Sequence, residues 1–490
     1  MSSIIIFIMS LRGAKRRSNL LKKIATPFGL AMTLILSSGC MIGPKYVKPS
    51  AEIPEAYKES KDWKLAQPQD NVLKGNWWEI FNDPQLNALE TQVNISNQNI
   101  AIAEAQYAQA YALVQASKSA FFPILSTTGS YTRSHEGGGS GSSDSHSASS
   151  LTALNADVTW EIDLWGRFRQ TLTSYKALAQ ASAADLENAR LSAQAALAQD
   201  YFQLCSDDAQ KKILDDNMAI YKQFLALTKN QYASGVAAES AVIQAETQLE
   251  STQAQEIDIG VNRAQMEHAI ALLMGKPASA FAVPPSSLPD TVPLVPAGLP
   301  SDLLERRPDI AAAERAAASA NALIGVAQSA YFPTLTLSAS GGYQSSNLAN
   351  LFSSPNPLWS VGPALAETIF DAGLRQAQTS QARAVYDQDV ASYRQTVLTA
   401  FQQVEDNLAA LRILEEEQGV QDAAVRDAKK AVELETNEYK QGIVSALDVI
   451  TIQATALADE KTDIALMGER MNACVLLIQY LGGGWVSPTE

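Results

Sequence analysis

The residue types that most often carry catalysis are few and widely separated in this chain. Its three histidines are His135, His146 and His268, and the first two lie in or beside a Gly/Ser-rich tract. They have no spacing typical of a metal site, and the sequence contains no phosphate-binding loop, nucleophile elbow or dinucleotide fingerprint. We therefore predict no catalytic residues, no metal site and no cofactor.

One cysteine indicates a different chemistry, the covalent attachment of lipid. A basic N-terminal stretch is followed by the short apolar segment 24–36 and by small residues ending at Gly39, directly before Cys40. This order is typical of an export signal, here residues 1–39. The junction resembles a bacterial lipoprotein cleavage site, which implies acylation of Cys40. Met41 stands where inner-membrane lipoproteins typically carry Asp, so the resemblance implies delivery to the outer membrane.

The rest of the composition narrows the possible partners. Cys205 and Cys474 lie inside helical patterns and are predicted to be buried free thiols rather than a disulfide framework. The net charge is −15, and no basic stripe occurs beyond the first 23 residues, which argues against a nucleic-acid partner. The acidity fits a solvated surface or a mildly cation-favouring lumen.

A short motif that occurs twice organises the elements of the chain. Residues 120–125 read AFFPIL and residues 330–335 read AYFPTL. Proline cannot continue a helical ladder, and it disfavours helical backbone at the residue before it. Phe122-Pro123 and Phe332-Pro333 are therefore predicted to be structural seams at which a helix gives way to a strand.

Strand patterns follow both seams. In the clearest one, Val158, Trp160 and Ile162 alternate with Thr159 and Glu161. We predict β-hairpins at 123–165 and 333–370, the last strand lying around 359–370. An apolar face opposite an acidic one suits a sheet with lipid on one side and water on the other.

Long helical patterns fill most of the remaining chain. The run 166–232 has no Pro and no internal Gly, and at about 1.5 Å per residue it would form a helix on the order of 100 Å long. A run of the same length, broken only by Gly419, spans 373–439, and unbroken helices are predicted for 84–120 and 302–330. The predicted segments are the signal 1–39, the N-terminal arm and equatorial segment 40–83, the first repeat 84–274, the linker 275–301, the second repeat 302–481 and the tail 482–490.

The spacing of equivalent residues indicates an internal two-fold repeat. Pro123 and Pro333 are 210 residues apart, while Gly166 and Gly373, like the later glycine pairs, are 207 apart. The predicted fold class is a membrane β-barrel plus a long α-helical barrel, with four strands per chain. Four strands cannot close a membrane barrel, so the chain must associate. Two copies would supply eight strands and three copies twelve, and the residues alone leave both open.

Three stretches carry a family resemblance. They are IGPKYVKP at 42–49, NWWEIFNDPQLNALE at 76–90, and LPSDLLERRPDIAAAERAAASANALIGVAQSAYFPTLTLSAS at 299–340. The chain resembles the TolC-like outer-membrane factors, in particular their OprM/NodT-type lipoprotein branch. The resemblance implies a homotrimer with a 12-stranded outer-membrane barrel and a 12-helix periplasmic tunnel. It also implies a passive exit duct for small molecules that works with a periplasmic adaptor and an inner-membrane transporter.

In that family the tips of the helical hairpins form the periplasmic gate. The tip pattern of Tyr-x-x-Gly with an Asp six residues after the Gly matches Tyr439, Gly442 and Asp448. Copies of Asp448 would then form a carboxylate ring that favours cations. The sequence departs from the family pattern at Val444 and Thr451.

The first tip matches the family pattern less completely. Tyr232 and Gly235 are in place, but Ala241 stands at the Asp position and Glu239 is the nearest acidic residue. The resemblance therefore implies gate residues at both tips, with Glu239 as a substitute for the missing Asp.

Two other functions remain as alternatives. An outer-membrane component of a protein secretion system would share the same architecture. A periplasmic coiled-coil adaptor would explain the long hairpins but not the two strand pairs. The substrate does not follow from the sequence, because a shared exit duct takes its specificity from the pump.

Overall fold

The structure is a computed structural model that describes residues 41–59, 75–135, 148–289, 291–295, 305–353 and 356–484. The predicted export signal and Cys40 lie outside these residues. The described α-helices are α1 (Pro84–Ser96), α2 (Gln98–Ser119), α3 (Arg167–Ala233), α4 (Glu239–Leu273), α5 (Pro308–Ser329), α6 (Leu374–Lys440) and α7 (Ala446–Tyr480). The described strands are β1 (Ile124–Ser134), β2 (Ser149–Ile162), β3 (Thr334–Ser345) and β4 (Pro357–Ala366).

The chain divides into two compact units, and each draws on both sequence repeats. One contains the strands and comprises the described residues up to Pro44 and those within Ser117–Leu172 and Ala322–Ser380. The other contains most of the helical residues, and comprises Lys45–Ala116, Thr173–Asn321 and the residues from Gln381 onward. The two compact units therefore do not coincide with the two sequence repeats, because strands from both repeats pair with one another.

The four strands form one antiparallel sheet in the order β1-β2-β3-β4. β2 of the first repeat pairs with β3 of the second, for example Val158 with Ala339. The predicted hairpins thus join into a single sheet. Within the described chain, β1 and β4 each pair on one side only.

The pairing register gives the sheet two distinct faces. One row across all four strands consists of Leu125, Val158, Ala339 and Val361, and the neighbouring row consists of Ser126, Asp157, Ser340 and Ser360. Side chains of adjacent rows point to opposite faces of a sheet. The apolar and polar alternation predicted for β2 therefore continues across the sheet in these two rows.

The two longest helices, α3 and α6, each contain 67 residues, as the sequence predicts. Gly419 lies inside α6 without breaking it, and no atom lies within 4 Å of where its Cβ would be. None of the helices in the described ranges is both long enough and apolar enough to cross a membrane.

The largest core lies in the helical unit and includes the aromatic residues of the segment before α1. Trp77 and Trp78 are buried, and the Trp77 indole N–H donates to Gln194 Oε1 at 3.0 Å. The rings of Phe81 and Phe202 lie 4.8 Å apart. These contacts fasten the segment to α3, as its aromatic composition indicates.

The predicted unbroken helix over 84–120 is wrong, because the chain leaves helical geometry at Asn97 (φ −68°, ψ 126°). The Asn97 amide donates to the Leu273 carbonyl oxygen at 2.9 Å, at the end of α4. Its side-chain oxygen accepts from the backbone N–H groups of Asn99 and Ile100 and so caps α2. The break lets one side chain satisfy the ends of two helices.

Two further boundaries differ from the prediction. The unbroken helix predicted for 302–330 is interrupted at Arg307, since Glu305 and Arg306 are helical and α5 begins anew at Pro308. Proline is favoured in the first turn of a helix. The last strand ends at Ala366 rather than Phe370. Asp371 accepts hydrogen bonds from the backbone N–H groups of Gly373 and Arg375, so the chain is already turning into α6 there.

Candidate functional site

Both hairpin tips end a 67-residue helix with the same backbone motif. At the first tip, the Gly235 N–H donates to the Tyr232 carbonyl oxygen and the Val236 N–H donates to the Gln231 carbonyl oxygen, both at 2.9 Å. At the second tip, the Gly442 N–H donates to the Tyr439 carbonyl oxygen at 3.0 Å in the same pattern. This is a Schellman motif, which requires left-handed backbone. The φ values of +73° for Gly235 and +76° for Gly442 explain both glycines.

The tyrosines of the two tips have opposite surroundings. Tyr439 is 5% exposed, its ring lies 5.1 Å from that of Phe224, and its hydroxyl lies 3.3 Å from Thr228 Oγ1. Thr228 already donates its own hydroxyl hydrogen to the Phe224 carbonyl oxygen at 3.0 Å, so Tyr439 is the donor. Tyr232 is 48% exposed.

The Tyr439 ring belongs to a buried cluster that joins the two hairpins. We call it the tip cluster; its members are Phe224, Ala245, Tyr439, Ala446, Val449 and Ile450. It draws on α3 and α4 of the first hairpin and on α6 and α7 of the second. Sequence reasoning missed Phe224 and Thr228, because no local pattern marks them.

Asp448 lies in the first turn of α7 and forms a capping box with Ser445. Its Oδ2 accepts from the Ser445 hydroxyl at 2.7 Å and from the Ser445 backbone N–H at 2.9 Å. These bonds hold the pKa of the exposed Asp448 carboxyl below its usual range. Asp448 therefore combines a structural role with a persistent negative charge.

The first tip has no equivalent cap. Glu239 is exposed at the start of α4, and Ala238 before it makes no side-chain capping bond. Ala241 and Val444, two of the three positions that depart from the family pattern, both pack against the tip cluster. At the first tip, an apolar contact thus occupies the place where that pattern has Asp.

The seam residues lie between helix and strand in both repeats. Pro123 lies between the end of α2 and the start of β1, and Pro333 lies between α5 and β3. Phe122 is exposed. Phe332 stacks on Trp165 with ring centroids 4.9 Å apart, and the Trp165 indole N–H donates to the Pro333 carbonyl oxygen at 2.7 Å. Sequence reasoning missed Trp165 as a partner of the second seam.

Neither free cysteine has the character of a reactive site. Cys205 and Cys474 are buried, as predicted, and burial raises the pKa of both thiols to about 12. No group of acidic, His or Cys side chains that could hold a metal ion occurs among the described residues.

The long helical hairpins and the two-faced sheet define a class of proteins, and comparison of the chain with known protein families identifies that class. The family model described as outer membrane efflux protein matches residues 89–276 and 299–483. The chain belongs to this family.

Individual relatives match along nearly their whole length. The chain is 30% identical over 470 residues to the probable efflux pump outer membrane protein TtgC of Pseudomonas putida, covering 94% of this chain and 96% of the relative. It is 29% identical over 465 residues to the cation efflux system protein CusC of Escherichia coli O6:H1, with 94% and 98% covered.

Solved structures match equally far. The chain superposes on the outer-membrane channel OprN with a TM-score of 0.85 at 29% identity, covering 92% of this chain and 100% of that one. It superposes on the open state of the MtrE outer membrane channel of Neisseria gonorrhoeae with a TM-score of 0.76 at 27% identity, covering 91% and 98%. The predicted fold class, a membrane β-barrel plus a long helical barrel with four strands per chain, is confirmed.

Proposed function

We propose that this chain is the outer-membrane exit duct of a tripartite efflux system, through which small molecules leave the periplasm passively. The observation that carries the proposal is the four-stranded sheet, with its apolar and polar faces, on a chain whose long helices form two hairpins. A coiled-coil adaptor would need no such sheet.

The duct works as a homotrimer, with twelve strands closing the barrel and twelve helix positions in the periplasmic tunnel. The one-sided pairing of β1 and β4 in the described chain supports association of several copies, because an open sheet edge is not tolerated in lipid, and the resemblance to the family supports three. Each copy's β1 pairs with the β4 of its neighbour. An adaptor in the periplasm and an inner-membrane transporter complete the system.

The chain is held to the outer membrane by acyl groups on Cys40 as well as by its strands. The supporting observation is the order of basic, apolar and small residues before this cysteine. Replacing Cys40 with Ser should abolish incorporation of labelled lipid. Absence of label from the unmodified chain would disprove the anchor and leave the channel proposal standing.

Small molecules are favoured over proteins as the cargo. The relatives' names speak of efflux pumps, toluene, antibiotics and cations, and none of those names speaks of protein secretion. The chain performs no catalysis in this scheme, because the transporter supplies the energy.

The gate lies at the hairpin tips, where the tip cluster holds the two hairpins of one copy together and Asp448 supplies a ring of charge. Contact with the adaptor would separate the hairpins. The polar face of the sheet, which includes Asp157 and Glu161, would line the exit.

Single-channel recording in planar bilayers tests both the channel and the charge ring. Replacing Asp448 with Asn should lower the preference for cations over anions. Replacing Ser445 with Ala is the matched control, since it removes the capping bonds of the Ser445 hydroxyl and keeps the charge. No channel activity at all would refute the duct, whereas channels with unchanged selectivity in the Asn variant would remove only Asp448 from the gate.

A further inference from the structure

We infer that a glycine-lined socket beside the strands holds the segment that follows Cys40, and that it thereby fixes where the lipid anchor enters the membrane. The segment is Met41–Gly43, here called the strap. The socket is formed by Gly166, Gln170 and Gly325. The inference rests on the acylation of Cys40 proposed above.

Hydrogen bonds to the backbone hold the strap. The Ile42 N–H donates to the Trp165 carbonyl oxygen at 3.0 Å, and Gln170 Nε2 donates to the Ile42 carbonyl oxygen at 3.1 Å. Gln170 is buried at 4% exposure. Both backbone polar groups of Ile42 are therefore satisfied, one by Trp165 and one by Gln170 of the socket, independently of the Ile42 side chain.

The approach of the strap is so close that only glycine fits at the contact points. A Cβ added to Gly325 would lie 2.8 Å from the Ile42 carbonyl oxygen, and one added to Gly43 would lie 2.7 Å from Gly325 Cα. One added to Gly166 would lie 3.1 Å from Met41 Cα. Carbon atoms in ordinary contact are about 3.5–4.0 Å apart, so a methyl group at any of these positions would displace the strap.

The socket lies at the ends of the central strands. Gly166 follows β2 by four residues, and its neighbour Trp165 stacks on Phe332, two residues before β3 begins. The strap, the socket and the four strands all belong to one compact unit. Cys40 is bonded directly to Met41, and consecutive Cα atoms are about 3.8 Å apart. When the strap is docked, the acyl chains are therefore attached beside the strand ends.

This geometry leaves no slack between the lipid anchor and the strands. A flexible tether would let an acylated chain attach to the membrane with its strands anywhere within the tether's reach. With the strap docked, the acyl chains and the strand ends must enter the membrane at the same place. The partner of the strap is thus the lipid leaflet at the ends of β2 and β3.

The decisive variant is Gly325→Ala in the full-length chain expressed in a Gram-negative host. Gly260→Ala is the matched control, since Gly260 also lies inside a helix and no atom lies within 4 Å of its would-be Cβ. Both changes raise helix propensity by the same amount. The measurement is the fraction of chain recovered from outer membranes as heat-modifiable oligomers. We expect a severalfold loss for Gly325→Ala and none for the control.

Combining the change with Cys40→Ser separates anchor placement from fold stability. If the socket acts by placing the anchor, Gly325→Ala causes no further loss when Cys40 is absent, so the two changes are strongly non-additive. An equal loss with and without Cys40 would overturn the inference, because the socket would then serve the fold alone. Missing lipid label on the parent chain would be a failure of the acylation proposal instead.

A second measurement reads strap docking directly. Lys45 is exposed just after the strap, and trypsin cleavage there requires the surrounding backbone to open. Faster cleavage is expected for Gly325→Ala and for Gln170→Ala, which keeps all the glycines, but not for Gly260→Ala. Equal cleavage in all four chains would show that the socket does not hold the strap.

Discussion

At the scale of single residues, the two hairpin tips share a sequence motif, but its side chains have different surroundings in the two repeats. Tyr232 and Tyr439 occupy equivalent positions, yet only Tyr439 is buried and bonded across to the other hairpin. Its partners Phe224 and Thr228 have Ala431 and Glu435 as their counterparts 207 residues later. A shared motif therefore fixes the turn at each tip without fixing the role of its side chains.

Replacing Tyr439 with Ala should weaken the closed state of the gate. A buried neutral hydrogen bond contributes about 1 kcal/mol and an aromatic pair about 0.5–1.5 kcal/mol. Losing both would favour opening by roughly tenfold or more, since about 1.4 kcal/mol is a factor of ten. The measurement is channel open probability in planar bilayers. Tyr232→Ala is the matched control, and an equal effect of both changes would refute the proposed role of Tyr439.

Glu90 in α1 is a second residue whose role no motif indicates. It is 0% exposed, and neither carboxyl oxygen has a hydrogen-bond partner in the described part of the chain. Burial raises its pKa well above the usual value. An unfolded glutamate ionises near pH ~4.3. Between that pH and its higher folded pKa, the folded state holds a proton that the unfolded state releases, so stability falls as pH rises.

Glu90→Gln should therefore raise the apparent melting temperature at pH ~7 by a few degrees, and the gain should shrink as the pH falls towards ~4. Thermal unfolding followed by circular dichroism in detergent measures both values. The exposed Glu416 provides the control substitution, Glu416→Gln, which should change neither. A gain that is the same at both pH values would show that ionisation of Glu90 is not its cause.

At the scale of elements, repeat symmetry returns at two joints within the helical unit. In the first, the Asn97 amide donates to Leu273 O, and in the second, Arg307 Nη1 donates to Tyr480 O at 3.3 Å. Leu273 and Tyr480 are 207 residues apart, and Asn97 and Arg307 are 210 apart. Each joint thus links the start of a short helix to the end of a returning helix.

The sequence predicts the long elements well and these joints poorly, for physical reasons. A run without Pro or internal Gly gave the length of α3, and a Pro-free run interrupted only by Gly419 gave the length of α6. In the sequence, Asn97 is an ordinary polar residue of a helical run. In the folded chain, the turn at Gly275 places the end of α4 against it. A break that depends on a partner about 180 residues away leaves no local signal.

Close contact at the joints makes their glycines sensitive to substitution. A Cβ on Gly275 would lie 2.4 Å from Ser96 O, and one on Gly482 would lie 2.3 Å from Arg306 O. Ala at either position should destabilise the chain by more than the 1–2 kcal/mol, roughly, that left-handed backbone alone costs. Gly235→Ala isolates that strain, since Gly235 has φ +73° and no atom within 4 Å of its would-be Cβ. Denaturant unfolding should rank Gly235→Ala as the mildest; equal losses would refute a steric role at the joints.

At the scale of the whole molecule, the edges of β1 and β4 that remain unpaired in the described chain require that several copies assemble. In the described residues, a single copy presents four strands with two open edges. Closure by two or by three copies uses the same edge pairing, so the fold of one chain does not distinguish them. The family favours three, and the count can be read from covalent linkage between neighbouring edges.

Ser126→Cys in β1 and Ser360→Cys in β4 place thiols at opposite edges of one polar row. With the chain assembled in membranes, a bifunctional maleimide should link each copy to the next and give a ladder of bands that ends at three. Cys205 and Cys474 should stay silent, because burial raises the pKa of both thiols to about 12 and keeps them protonated. Either substitution alone should give no ladder, since β1 meets only β4. A ladder that ends at two would replace the trimer with an eight-stranded dimer, and the absence of any cross-link in the double variant would refute pairing between these edges.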